Sequence, residues 1–153
     1  MALWQHDLYL IPEKAAESTT RSKNAKFPFG DAWSHHPDPD TCEIAIASMM
    51  PSQPEAWAED IVRVGHEKAT HVQLVREADR LVEVNVRFDL REAACSFVPI
   101  AVHLCIVAEE QGLVFAYPDG RVIQATLDRL MNHLAASDAA RYCRDPRAFR
   151  SGG

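Results

Sequence analysis

Residues 81–89 alternate Val82, Val84, Val86 and Phe88 with Glu83, Asn85, Arg87 and Asp89. In an extended strand, successive side chains point to opposite faces, so this segment has one apolar face and one wet face. Residues 70–76 alternate in the same way, His71, Gln73 and Val75 against Val72, Leu74 and Arg76. The linker Glu77-Ala78-Asp79-Arg80 has the length of a hairpin loop built around a type I turn. A half-wet hairpin belongs to an antiparallel sheet covered on one side, and that constrains every other segment to supply either more sheet or the cover.

The remaining segments divide along those lines. Residues 3–11 read as a first strand, with Trp4, Leu8 and Leu10 alternating before Pro12 stops the run. Residues 113–117 and 121–124 flank Pro118-Asp119-Gly120 as a second hairpin. Between the hairpins, residues 96–111 predict a helix capped by Ser96 and ended by Gly112, with Pro99 tolerated in its first turn. Ile100, Val102, Leu104, Ile106 and Val107 surround it, which makes it the expected central buried helix. Thr126 caps a further helix through Leu127, Leu130, Met131 and Leu134, and Ser137 restarts a short one that ends before Asp145-Pro146. The Ser52-Gln53-Pro54-Glu55 capping box predicts a helix to about Val64, stopped by Gly65, with Trp57, Ile61 and Val64 facing the core. Residues 42–50 fit either a short helix or a buried strand.

Residues 12–30 read as a long loop carrying Lys14, Arg21, Lys23 and Lys26 and closed by Phe27-Pro28-Phe29-Gly30. Pro37 and Pro39 argue against a regular helix over 35–40. The expected fold class is α+β: an antiparallel sheet built from an N-terminal strand and two hairpins, covered by helices on one face. It forms a single domain over residues 1–150, with Ser151-Gly152-Gly153 as a frayed tail.

Charge is segregated along the chain. Residues 1–60 hold ten acidic and four basic side chains, residues 61–153 hold twelve of each, and the net charge of -6 therefore sits in the first part. Between residues 27 and 62 there are seven carboxylates and no Lys or Arg. Such a field attracts a basic partner and speeds its encounter, or serves only as a solvated face. The whole-chain balance argues against a nucleic-acid binder. Arg141, Arg144, Arg147 and Arg150 form a stripe at a spacing of three, but Pro146 breaks it.

Motifs for catalysis are sparse. The six glycines form neither GxGxxG nor a P-loop, which removes phosphate binding through a Gly-rich loop. His6, His66, His71, His103 and His133 are scattered, and no nucleophile elbow accompanies Cys95 or Ser96. The run His35, His36, Asp38, Asp40 and Cys42 contains divalent-metal ligand types, without the helical His-x-x-x-His spacing that presents them together. Cys42, Cys95, Cys105 and Cys143 fit neither a CxxC pair nor a disulfide framework and read as reduced structural thiols. At the end of the central strand, Arg87 and Asp89 share the wet face, where they pair with each other or line a groove beside the long loop. No signal peptide or bilayer-length apolar segment is present, so the expected location is the cytoplasm.

Within residues 81–149 a strand ends Val-Arg-Phe-Asp-Leu-Arg, an apolar helix follows, and Tyr-Pro-Asp-Gly, Ser-Asp-Ala-Ala-Arg-Tyr and Asp-Pro-Arg-Ala-Phe come after it. This combination resembles small uncharacterised bacterial proteins, and some proteins of that size and kind are immunity proteins encoded beside secreted toxins. The resemblance covers under half of the chain and carries over no functional residue. With the charge layout, it leads to the expectation of a non-enzymatic immunity protein that covers a basic toxin or effector domain. Asp31, Trp33, Asp38, Asp40, Glu43, Glu55, Glu59 and Asp60 are the expected partner-binding residues, with carboxylates to steer and Trp33 to anchor. No cofactor, metal or membrane is expected, and a homodimer is compatible. The alternatives are a secretion chaperone for an effector, and a small enzyme or metalloprotein using His35, His36 and Asp38.

Overall fold

The computed structural model describes residues 2–18, 29–48 and 55–147. Its strands are β1 (Gln5–Pro12), β2 (Glu55–Ala58), β3 (Ile61–Gly65), β4 (His71–Glu77), β5 (Arg80–Asp89), β6 (Leu113–Ala116) and β7 (Val122–Ile123). They form one antiparallel sheet in the order β2-β3-β4-β5-β1-β6-β7. The helices are α1 (Glu13–Ser18), α2 (Phe29–Ala32), α3 (Pro39–Ala47), α4 (Ala94–Gln111), α5 (Leu127–Ala136) and α6 (Asp138–Arg144), with a 3-10 turn at Trp33–His35. The α+β class and the antiparallel sheet agree with the sequence pattern.

The N-terminal strand β1 lies between β5 and β6, antiparallel to both, so β5 and β6 run parallel to each other. Parallel strands need a long crossover, and α4, with 18 residues, supplies it. Leu8, Leu10, Val64, Val72, Leu74, Val84, Val86, Phe88 and Phe115 make the apolar face of the sheet. Ile46 of α3, Ala101, Leu104 and Ala108 of α4, and Leu130 and Leu134 of α5 close that core. The helix α4 is not buried all round, because Ile106 is exposed. Sheet, α3 and α5 cover only part of its circumference, and one stripe faces water.

The other face of the sheet is divided. Over β1, β6 and β7, Ile11, Val114 and Ala116 meet Ala15 of α1 and Ala32 of α2, and Tyr9 stacks on Phe29 with ring centroids 3.9 Å apart. α2 also packs against the start of β5, whereas the part over β2 to β4 and the far half of β5 carries no helix among the described residues, and its side chains are mostly the polar half of the alternation.

Several local expectations need correction. Residues 55–65 form the hairpin β2–β3 and not a helix. Ile61, Val62 and Val64 are β-branched, Glu59-Asp60 makes the turn, and the inward spacing of 57, 61 and 64 is a coincidence of a strand pair. Trp57 is accordingly 56% exposed and not core. Ser52 and Pro54, on which the helix reading rested, lie outside the described residues, as do Phe27, Pro28, Arg21, Lys23, Lys26 and the tail 148–153. The stretch 12–30 contains α1 and the start of α2, where a loop was expected. Of the stretch 42–50, Met49 and Met50 lie outside the described residues and 42–47 are helical: α3 begins at Pro39, whose missing N–H is no loss at the first helical position. Asp38 caps it, accepting from the Thr41 N–H at 3.1 Å.

The caps of the later helices are mixed. Ser137 accepts from the Ala140 N–H at 3.2 Å as expected, whereas Thr126 makes no side-chain cap bond. The helix α4 starts two residues before Ser96, which does not cap it. Gly112 ends it with φ +65°, in the left-handed conformation that glycine adopts without strain.

The β4–β5 turn also differs. Ala78 and Asp79 have φ of +48° and +61°, which is the mirror-image type I′ geometry that matches strand twist, and not type I. Val75 pairs with Glu83 but Arg76 with Leu81, so Val82 is an extra residue that returns Leu81 to the core side. A left-handed alanine is strained by about 1 kcal/mol. Ala78→Gly is expected to stabilise the protein by up to that amount, measured as a higher urea midpoint with an unchanged m-value.

Candidate functional site

Part of the acidic segment converges at one end of the sheet, where β1 finishes and β5 begins. Asp31 of α2 and Asp40 of α3 line a cleft of about 380 Å³ together with Asp79 of the β4–β5 turn, Arg80 and Leu81. Asp60 belongs to the same end, because its carbonyl accepts from the Arg76 N–H at 2.8 Å. Glu59 sits beside it in the exposed β2–β3 turn, and Asp38 stands exposed at the N-terminus of α3. The Thr41 hydroxyl and N–H both donate to Asp38, and these bonds hold its carboxyl below the usual aspartate range.

Two expected contact residues offer little to that surface, although Trp33 borders the cleft. Trp33 is 2% exposed and belongs to the main core, so it cannot anchor a partner. Glu43 is buried and binds Arg76 through both oxygens to Nε, at 2.9 and 3.1 Å, and again to Nη2 at 2.7 Å. The even positions of β4 face the helical layer, so Arg76 closes that layer at its end and Glu43 of α3 compensates it. Glu55 pairs in register with Arg63 on the far edge, away from the cleft. What the sequence reading missed is Asp79, which was assigned only a turn role, and Ile44. Ile44 is 69% exposed one helical turn after Asp40, so the two share a face of α3.

The residues of the metal alternative are used structurally. The His36 Nε2–H donates to the Gln111 carbonyl at 2.8 Å, and His36 Nδ1 accepts from the Asp38 N–H at 3.0 Å. Both ring nitrogens therefore lock the start of α3 against the end of α4. Cys42 is buried with its sulfur 3.3 Å from His36 Nε2. Burial pushes its thiol up to about 11, and does the same for Cys105, so neither is an activated nucleophile. Among the described residues, no three His, Cys, Asp or Glu side chains gather as metal ligands. The arginine stripe also dissolves: Arg141 pairs with Asp138 at 3.1 Å, and Arg150 lies outside the described residues.

The uncovered sheet face holds a second concentration of polar chemistry, at the opposite end. Its rows run Gly65–His71–Arg87–Asp7 and Arg63–Gln73–Asn85–Tyr9. Arg87 donates through Nε and Nη2 to the two oxygens of Asp7, each at 2.8 Å. Arg91 binds Asp89 through Nε and Nη2 and lies over the Trp4 ring at 4.2 Å. Arg87 and Asp89 thus pair with other residues and not with each other. Arg63 lies over the Trp57 ring at 4.7 Å. These side chains line a pocket of about 440 Å³ with Lys68 and Glu67. The signal for it in the sequence was the wet half of the alternation, together with Arg63 one strand away.

Two outcomes test these assignments. Glu43→Ala strips a buried charged partner from Arg76 and is expected to destabilise the fold by about 1–3 kcal/mol, whereas exposed Asp40→Ala stays within about 0.5 kcal/mol, both read by urea unfolding. Burial lowers the pKa of His71 below its ordinary value, with the positive Arg87 and Arg63 adding to the effect. The unfolded chain then binds a proton that the folded chain refuses, so stability drops as pH falls below about 6.5. His71→Gln is expected to flatten that drop, measured by unfolding at a series of pH values.

Neither a family model, nor a curated protein, nor a solved structure matches this chain.

Proposed function

We propose that this chain is a non-enzymatic binding protein of the immunity type, which acts in the cytoplasm and blocks a basic toxin or effector domain by covering it. The observation that carries this reading is the grouping of Asp31, Asp40 and Asp79 from three separate elements around one cleft, next to the exposed Ile44. Carboxylates brought together from distant positions focus a negative field, which raises the encounter rate with a cationic surface. An exposed aliphatic side chain beside them provides the desolvated contact that slows dissociation. Ile44 takes the anchoring part first assigned to Trp33. Of the two basic groups at this end among the described residues, Arg76 is held by Glu43 in an ion pair, which keeps part of its charge from the field, and Arg80 lines the cleft itself.

The test uses tagged full-length protein as bait in native lysate, beside the triple variant Asp31→Lys, Asp40→Lys and Asp79→Lys. Wild type is expected to retain one stoichiometric basic protein that the variant releases. With that protein purified, association is expected to slow at least about tenfold between low salt and about 0.5 M salt, and Ile44→Ala is expected mainly to speed dissociation. Equal capture by the variant, or an association rate indifferent to salt, contradicts the reading.

A further inference from the structure

We propose that the open face of the sheet binds the phosphate group of a small phosphorylated molecule, in the pocket floored by Arg63 and His71 and rimmed by Lys68, Arg87 and Arg91. This site lies at the end of the sheet away from the acidic cleft and does not rest on the capture of a basic partner.

The first observation is the burial of polar nitrogens without a hydrogen-bond partner. Arg63 is 3% exposed and its Nε has no hydrogen-bond partner among the described residues. His71 is 1% exposed and its Nε2 is likewise unpartnered. Buried polar atoms of this kind are few in a folded protein, and their bonding is completed by water or by a ligand. Of the five such side-chain atoms among the described residues, those of Trp4, Arg63 and His71 belong to residues that line this cavity, and those of His6 and Trp33 do not. Their placement is built into the fold. Gly65, at φ +108°, lets β3 pass so close to His71 that a side chain at 65 would stand 3.0 Å from its Cα and Cβ. The His71 Nδ1–H donates to the Ala69 carbonyl at 2.9 Å, which orients the ring.

The second observation is the sign and surplus of the charge. In a chain of net charge -6, this pocket is lined by Arg63, Lys68, Arg87 and Arg91 against one carboxylate, Glu67. Asp7 and Asp89 each occupy the Nε and Nη2 edge of one arginine, which leaves the Nη1 groups of Arg87 and Arg91 for a further acceptor. Glu67 approaches Arg63 only to 3.8 Å, and Lys68 has no ion-pair partner among the described residues. A phosphate monoester has three acceptor oxygens and close to two negative charges, which uses this set of donors more fully than a single carboxylate does. The pocket volume of about 440 Å³ admits a small molecule, and Trp4 and Trp57 give it apolar walls.

His71 links occupancy to protons. With Nδ1 donating, the neutral ring offers a lone pair at Nε2, and a dianion beside it is favoured only when that nitrogen is protonated. The groups that face the ring are Arg63 of β3, Arg87 of β5, Asp7 of β1, and Glu67 and Lys68 of the turn between β3 and β4. Burial first, and then Arg87 and Arg63 against the opposing Asp7, disfavour the imidazolium in the empty pocket, and a bound phosphate supplies the negative charge that favours it. Binding therefore takes up a proton and tightens as pH falls from 8 towards 6.

The test is a titration of the purified full chain with phenyl phosphate, inorganic phosphate and citrate, read by calorimetry and by the fluorescence of Trp4 and Trp57. Phenyl phosphate is expected to bind saturably at or below about 1 mM and about tenfold more tightly at pH 6 than at pH 8. His71→Gln is expected to remove that gain and leave only the effect of the ligand's own second ionisation at about pH 6. Lys68→Glu, at an exposed turn position where folding is not at stake, is expected to weaken binding about tenfold. Absence of saturable phosphate binding up to about 10 mM, or affinity unchanged by Lys68→Glu, overturns the proposal. Tighter binding of citrate than of phenyl phosphate overturns the phosphate assignment in favour of a polycarboxylate.

Discussion

The insertion of β1 between β5 and β6 is the constraint on which the rest depends. Because β1 opposes both neighbours, those neighbours are parallel, and the chain can connect them only by a crossover along the sheet. That crossover is α4, which completes the apolar core over Leu8, Leu10, Val84 and Phe88. The register across β1 also aligns Asp7 with Arg87 and so builds an ion pair into the opposite face. Moving β1 by one residue would exchange its two faces, placing Asp7 in the core and Leu8 in water.

The two ends of the sheet acquire different chemistry from this arrangement. At the end where β1 finishes, the chain turns from one face to the other through α2 and the turn at Trp33–His35. This brings Asp31 and Asp40 to the β4–β5 turn. At the other end, the short turn between Gly65 and His71 and the residues after β5 deliver Lys68 and Arg91 to the uncovered face. A chain of modest net charge is thereby divided into an acidic cleft and a basic pocket. From the helical layer Asp40 reaches the acidic cleft, whereas Glu43 on the same helix is paired with Arg76.

Much of the architecture was legible in residues whose environment repeats locally. The alternation at 81–89, the Gly112 stop and the Ser137 cap each depend on near neighbours, and each appears where the pattern places it. The hairpin β2–β3 was not legible, because Trp57, Ile61 and Val64 satisfy a helical spacing as well as they satisfy a strand pair. What decides between the two is the edge offered by β4, a partner that local periodicity does not contain. Trp33 was misassigned for a similar reason: an aromatic residue among carboxylates looks like an anchor until the fold folds it into the core.

The sequence by itself determined the fold class, the apolar and wet faces of the central hairpin, the location of the net charge, and the lack of a Gly-rich phosphate loop. These follow from composition and from periodicities of two or three to four residues, which are local physics. Only the tertiary structure decided which carboxylates share a cleft, that His36 and Cys42 secure a helix junction, and that Arg63 meets His71 across a sheet. Such groupings depend on strand order and register, and those are set by burial of the whole apolar face at once and not by any segment taken alone.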